Sequence, residues 1–246
     1  MQIHLSHASN SSAAKRNFGH KSRALRGKLD GFSRCFINAQ NEECSASDQI
    51  RPTYEWLYAC WTLFLEHKMH PIIYDVAVSI DGFISGPDGD VSQFAQDGPV
   101  VEAYFARLAR YATAIMGRET YEFSYGFGLK PGENPYKSME TLVFSRSMDL
   151  QGADEISVQK AISAGLFRDL KARAKGPIYL CGGGDFAGSL LDLGVIDILR
   201  LKRAPILLGG GVALFGSSAT APKLKLTESQ SYENGYVYQE FAVLPN

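Results

Sequence analysis

The residues best suited to chemistry in this chain are glycines. Ile178 to Cys181 form an apolar run that enters Gly182-Gly183-Gly184 and then an amphipathic segment opening with Asp185-Phe186. The pattern reads as a buried strand, a tight turn and a helix start. Without side chains, such a turn lets backbone N–H groups approach a bulky anion, and the next helix faces it with the positive end of its dipole. That suits a cofactor's pyrophosphate, while an ordinary Gly-rich turn has the same sequence. A second cluster, Gly209-Gly210-Gly211, follows Pro205.

The scarce residues narrow the chemistry further. All five histidines, both tryptophans and three of the four cysteines lie at or before residue 70, and Cys181 alone lies beyond it. The later chain therefore lacks the histidine of a Ser-His triad and any Cys/His set for zinc, and no metal site is expected there. The formal net charge is −1 and the pI is near 6.5, with 45 % hydrophobic and 21 % charged residues among 246. Nothing in this balance favours nucleic acid or an anionic membrane surface as partner. A small-molecule ligand and a cytoplasmic protein are the expectation.

Residues 1–50 are rich in Ser, Asn, Lys and Arg, and the first acidic residue is Asp30. They are expected to be poorly ordered, and a transit peptide is the minority alternative. Trp56 to Leu65 suits a short helix, too short to span a bilayer, which takes roughly 20 residues. The break in composition at Met69 suggests that the native chain begins there, with residues 1–68 an extension from an upstream start and 69–246 the functional domain.

From Met69 onward the elements that must position the glycines can be read in order. Pro71 to Ser79 is a strand, and Ile80 to Asp90 a loop dense in turn residues. Gly98 to Tyr111 carries apolar residues at helical spacing. Thr113 to Gly117 is a second strand, with a short helix at Arg118 to Tyr121. Residues 126–137 are a loop, Thr141 to Phe144 a strand ending in Ser145-Arg146-Ser147, and Glu155 to Val158 a brief strand. Ile162 to Ala174 and Asp185 to Leu193 are helices around the strand Ile178 to Cys181. Ile196 to Ala204 reads as a strand with alternating exposure. Lys223 to Ser229 and Tyr236 to Leu244 pair around Asn234-Gly235. Strands that alternate with helices and then close in a hairpin give an α/β class with a mixed sheet.

Four segments, in this order, resemble the dihydrofolate reductase-like fold, and within it the reductase domain of the bacterial bifunctional riboflavin-biosynthesis deaminase-reductase. They are Ser79-Ile80-Asp81-Gly82-Phe83-Ile84, Ile115-Met116-Gly117-Arg118-Glu119-Thr120-Tyr121, Tyr179-Leu180-Cys181-Gly182-Gly183-Gly184 and Pro205-Ile206-Leu207-Leu208-Gly209-Gly210-Gly211. The resemblance covers residues 72–244. It implies a mostly parallel mixed sheet flanked by helices, NADPH as cofactor, and a homodimer that reduces a small heterocycle, similar to 5-amino-6-(5-phosphoribosylamino)uracil reductase. A non-catalytic nucleotide-binding protein and a dihydrofolate reductase are the alternatives.

The resemblance also implies roles. Gly117, Arg118 and Thr120 would bind cofactor phosphates, Gly182 to Gly184 the pyrophosphate, and Ser145 and Arg146 the adenosine ribose and its 2′-phosphate. An Arg fork among hydroxyls matches phosphate chemistry, and an ion pair of Arg118 with Glu122 is the bland alternative. The backbone of Ala77 and Ile84 would hold the nicotinamide carboxamide, flanking the loop with Asp81, which is either a site residue or an Asp-Gly turn. Gly209, Gly210 and Gly211 are candidate contacts to a substrate phosphate or a plain turn. The carboxylate that dihydrofolate reductases place on their first long helix falls near Val101-Glu102, which makes Glu102 the candidate proton donor and folate a poor substrate. Phe94, Val91, Tyr121 and Tyr125 are candidates for an apolar wall.

Overall fold

The computed structural model describes residues 69–150, 152 and 155–245. The expectations for residues 1–68 fall outside the described residues. The apolar runs at β1, β3, β4 and β6 form the middle of one eight-stranded sheet of order β5-β4-β3-β6-β1-β7-β10-β9. Its strands are β1 (Ile72–Val78), β3 (Thr113–Gly117), β4 (Glu140–Phe144), β5 (Ser157–Gln159), β6 (Ile178–Gly182), β7 (Ile198–Arg203), β9 (Leu224–Ser231) and β10 (Val237–Val243). From β5 to β7 all neighbours run parallel, and β10 and β9 close the sheet antiparallel.

A sheet buried on both faces needs apolar residues at successive positions, and β6 is buried along all five of its residues. On one face α3 (Ala164–Arg173) and α4 (Gly184–Asp192) supply Phe167, Leu170, Phe186, Ala187 and Leu190 to a core with Ile72, Tyr74, Ile115 and Leu180. On the other, α1 (Pro99–Leu108) and α2 (Arg118–Phe123) supply Tyr104 and Tyr121 against Ile73, Met116, Tyr179 and Cys181. Because side chains alternate along a strand, Ile72 and Tyr74 face the first core, while Ile73 and Asp75 face the second.

β7 lies inside the sheet between β1 and β10 and alternates only in part: it buries Leu199 toward one core and Lys202 toward the other, while Arg203 is exposed. One expectation changes. The two loops around the resembling glycine and Asp-Gly segments hold a small antiparallel pair, β2 (Phe83–Ser85) with β8 (Val212–Ala213). Strands of three and two residues carry no periodicity to read. The closing hairpin turns at Asn234-Gly235 as expected, with the Gly235 N–H donated to the Tyr232 carbonyl at 3.0 Å.

Candidate functional site

In an open parallel sheet, ligands bind beyond the carboxyl ends of the strands, where the strand order reverses. Here β3 and β6 end side by side, and each leads through glycine into a helix. Gly183 has φ +88, and a β-carbon there would stand 2.7 Å from Thr120 Oγ1. Glycine thus lets the start of α4 and the side chain of Thr120 share one corner. The α4 N-cap is Gly183 and provides no side-chain cap, so the first N–H groups of that helix are left for another acceptor.

Arg118 follows Gly117 at the same corner and is half-exposed; its Nε lies 4.0 Å from Glu122, at the outer limit of an ion pair. Ser145 and Arg146 stand at the end of β4, next to β3. Ser145 Oγ accepts the Met148 N–H at 2.9 Å, which fixes the turn, and Arg146 is exposed. The structure therefore places Gly117, Arg118, Thr120, Ser145, Arg146, Gly182, Gly183 and Gly184 along the ends of three adjacent strands. This is a cradle with two cations, hydroxyls and open N–H groups, a donor set that fits a phosphorylated dinucleotide.

Beside it, a cavity of about 130 Å³ opens between β1, β7 and α1. Val91 and Phe94 line it, as the sequence suggested, and Ala77 and Ile84 line it as well. Tyr121 and Tyr125 do not. Tyr121 is fully buried in the core on the α2 face, where its hydroxyl donates to the Glu133 carbonyl and accepts the Gly132 N–H.

Glu102 requires correction as proton donor. It lies on the exposed side of α1, whereas Val101, Tyr104 and Phe105 of the same helix line the cavity. Helical periodicity turns Glu102 away from Val101, so no acid of α1 reaches the cavity.

Asp81 is a clip between loops. Its carboxylate accepts Ser79 Oγ at 2.5 Å, the Leu208 N–H at 3.1 Å and the Gly209 N–H at 2.7 Å. The Ser79 bond, followed by the Gly209 bond, holds its pKa below the usual carboxylate value, which fits an ionised anchor and not a proton donor. The same bonds correct the second glycine loop. The Gly209 N–H already has an anion, and Gly211, at φ +124, is pressed against the Ser85 and Gly86 backbone where no β-carbon fits. Gly209 and Gly210 both have open space where a β-carbon would stand, and of these two only Gly209 has its N–H committed to Asp81.

The floor of the cavity holds what sequence reading missed. Asp75, buried in β1, receives Lys202 Nζ at 2.9 Å, Arg107 Nε at 3.0 Å and the Tyr111 hydroxyl at 3.2 Å. Burial alone would raise the Asp75 pKa, but the Lys202 charge and the Arg107 hydrogen bond outweigh it and hold it below the ordinary value. For Lys202, burial outweighs the Asp75 attraction and lowers the pKa, with the nearby Arg107 charge acting in the same sense. Lys202 Nζ also sits 3.7 Å over the Tyr104 ring, a cation–π contact.

Around them, Tyr104 and Tyr179 share a 2.8 Å hydroxyl contact, and Tyr136 meets Cys181 Sγ at 3.0 Å. Burial pushes all three phenols and the thiol up. The available signal was a charged residue inside an apolar strand, Asp75 in Ile72–Val78; Lys202 stands among other cations in Ile198–Arg203 and gave none.

Among the described residues no helix is long and apolar enough to cross a membrane. Known proteins share this architecture. The uncharacterized protein YyaP of Bacillus subtilis (strain 168) is 28 % identical over 183 residues, which is 69 % of this chain and 93 % of YyaP. A crystal structure of a protein named for riboflavin biosynthesis from Shewanella sp. PV-4 superposes with TM-score 0.61 at 25 % identity, over 72 % of this chain and all of that one. Dihydrofolate reductase from Enterococcus faecalis, complexed with NADP(H), superposes with TM-score 0.53 at 17 % identity, over 71 % of this chain and 97 % of that one. The fold is therefore dihydrofolate reductase-like. Residues 70–238 match the family model described as the RibD C-terminal domain, and the chain belongs to that family.

Proposed function

We propose that the protein is an NADPH-dependent reductase of a small flat heterocycle. The observation that carries this reading is the juxtaposition of the cradle at the ends of β3, β4 and β6 with the apolar cavity between β1, β7 and α1. A bound NADPH would supply hydride. The chain supplies position and dryness, which is most of what hydride transfer asks of a protein. Arg118 and Thr120 bind phosphate oxygens, α4 turns its first N–H groups to the pyrophosphate, and Arg146 with Ser145 prefers a 2′-phosphate to a bare ribose. The backbone of Ala77 and Ile84 orients the carboxamide at the cavity mouth, while Val91, Phe94 and Phe105 exclude water.

The activity that the resemblance points to is that of 5-amino-6-(5-phosphoribosylamino)uracil reductase. A phosphate on the acceptor has little to hold it at the second glycine loop, because Asp81 takes the Leu208 and Gly209 N–H groups. An unphosphorylated ring is the better fit. Val101 in place of an acid weighs against folate. We further propose a homodimer, supported by Leu224 and Leu226 standing exposed on the edge strand β9.

Titration with NADPH and NADH by fluorescence quenching tests the cofactor, with NADPH expected to bind tighter. No binding of either would end the reading. NADPH oxidation with ribosylaminouracil, its phosphate ester and dihydrofolate then sorts the acceptor, the unphosphorylated pyrimidine being expected to be fastest.

A further inference from the structure

Five ionisable side chains line the cavity: Asp75, Tyr104, Tyr179, Cys181 and Lys202. Tyr104 and Tyr179 have their hydroxyls on each other, Cys181 has its thiol on Tyr136, and Asp75 is an ionised acceptor of three donors. Lys202 is different. Arg107, with Nε at 3.0 Å and Nη2 at 3.4 Å, already matches the Asp75 charge with a two-pronged contact. Arg200 is matched in turn by Glu240, with Nε 2.7 Å from Oε2. The Lys202 ammonium is thus the one positive charge in excess within the group Asp75, Arg107, Arg200, Lys202 and Glu240. It is buried, carries three N–H bonds, and gives one of them to Asp75.

We propose that Lys202 Nζ is the proton donor of the reaction, delivering a proton to the nitrogen or oxygen of a C=N or C=O acceptor as that bond takes up hydride. The inference rests on the reductase reading above and adds the acid that the first helix lacks. The π pair of the acceptor bond becomes the new N–H or O–H bond. The Nζ–H bond breaks with its electrons left on a neutral amine, and water returns the proton. The reductant is the nicotinamide of NADPH, which leaves as NADP⁺.

The surroundings suit an amine that both loses and regains its proton. From β1, Asp75 favours the ammonium; from α1, Arg107 opposes it and the Tyr104 ring face favours it. From β6, Tyr179 and Cys181 remain neutral. From the loop after α1 and from β10, Tyr111 and Tyr238 join the same network, with Arg107 4.4 Å over the Tyr238 ring. An enclosed cavity of about 150 Å³ accepts benzene, so the 130 Å³ here has room for a single ring.

Three measurements test the assignment. Acetic anhydride labelling of the full-length wild-type protein, followed by mass spectrometry of the peptide bearing Lys202, should give a pH midpoint below that of the exposed lysines. An ordinary midpoint, or no labelling at any pH, overturns the proposal without reference to turnover. Lys202→Met should bind NADPH as the wild type does but lose about 10²- to 10³-fold in kcat, in the range of general acid catalysis. Lys202→Arg keeps the charge and should fail to rescue kcat, because a guanidinium holds its proton. Rescue by arginine would reduce Lys202 to a structural cation, and an unchanged kcat in Lys202→Met would sink the proposal alone. Failure of the wild type to bind NADPH would instead remove the reductase reading beneath it.

Discussion

Lys202 and Asp75 stand on neighbouring parallel strands, two positions apart in register, with Nζ 2.9 Å from Oδ1 inside the protein. Asp75 is also the shared acceptor of Arg107 and Tyr111. Its removal leaves two buried cations facing each other.

Asp75→Asn should therefore lower stability by about 3–5 kcal/mol, the usual cost of breaking a buried ion pair from one side. The folded Asp75 pKa lies below its unfolded value. Its contribution is thus fully present above the ordinary carboxylate range and is lost as pH falls through the lowered folded value. Urea melts of wild type and variant should differ at pH 7 and converge in strong acid. Coincident melts at pH 7 would contradict the ion-pair account.

Arg118→Ala should weaken NADPH by about 10- to 100-fold, the loss of a charge-assisted bond worth roughly 1.5–3 kcal/mol. Stability should hardly move, since the 4.0 Å contact with Glu122 is an exposed i,i+4 pair of about 0.3–0.5 kcal/mol. Fluorescence titration and a urea melt on the same preparation separate the two effects. A large loss of stability with unchanged affinity would place Arg118 in the scaffold.

Gly183→Ala combines a positive φ with a β-carbon 2.7 Å from Thr120 Oγ1. The backbone part costs roughly 1–2 kcal/mol, and the crowding about 1–3 kcal/mol more. Thr120→Ala in the same chain removes the crowding and leaves the backbone strain. A double-mutant cycle read by denaturation should show a favourable coupling. Additive losses would mean that the two side chains do not share the corner.

Asp81→Ala should free the loop from Ile206 to Gly211, because both N–H groups it holds lose their acceptor together. Amide exchange at Leu208 and Gly209, compared with wild type at one pH, should accelerate, while the strands of the large sheet keep their protection. Unchanged exchange at those two amides would show that the β2–β8 pair alone fixes the loop.

The parts of this fold that could be read in advance are those whose residues face a uniform environment. β3, β6 and the closing hairpin are apolar runs or carry an Asn-Gly turn, and their limits in the structure lie within two residues of the expected ones in nearly every case. The cradle was legible for a similar reason, since three glycines between a strand and a helix announce their geometry locally. The cavity floor was not. Asp75 and Lys202 are 127 positions apart, and each alone resembles an ordinary polar residue at a strand position. Only the parallel register of β1 with β7 brings them to one face. Glu102 misled because position along a helix was taken without its rotation, and one residue on α1 separates the cavity from solvent. Gly211 misled because glycine is required equally by a bound anion and by close approach of the chain to itself, and Gly209 because the anion its N–H meets is the chain's own Asp81.

The short pair β2–β8 links the two glycine clusters. Ala213 sends its carbonyl to the place where a β-carbon on Gly184 would stand, and the Leu214 N–H reaches back to the Gly82 carbonyl at 3.0 Å. Gly184 cannot acquire a side chain without displacing β8 and the turn that follows it, just after the second cluster. In descent the two clusters should behave as one heritable character: among relatives, an insertion between residues 209 and 216 should be found only where the turn at 182–184 has been rebuilt as well. Substrate preference in this family would then drift through the cavity wall, where Val101 and Phe94 can vary singly, while the cofactor end stays fixed.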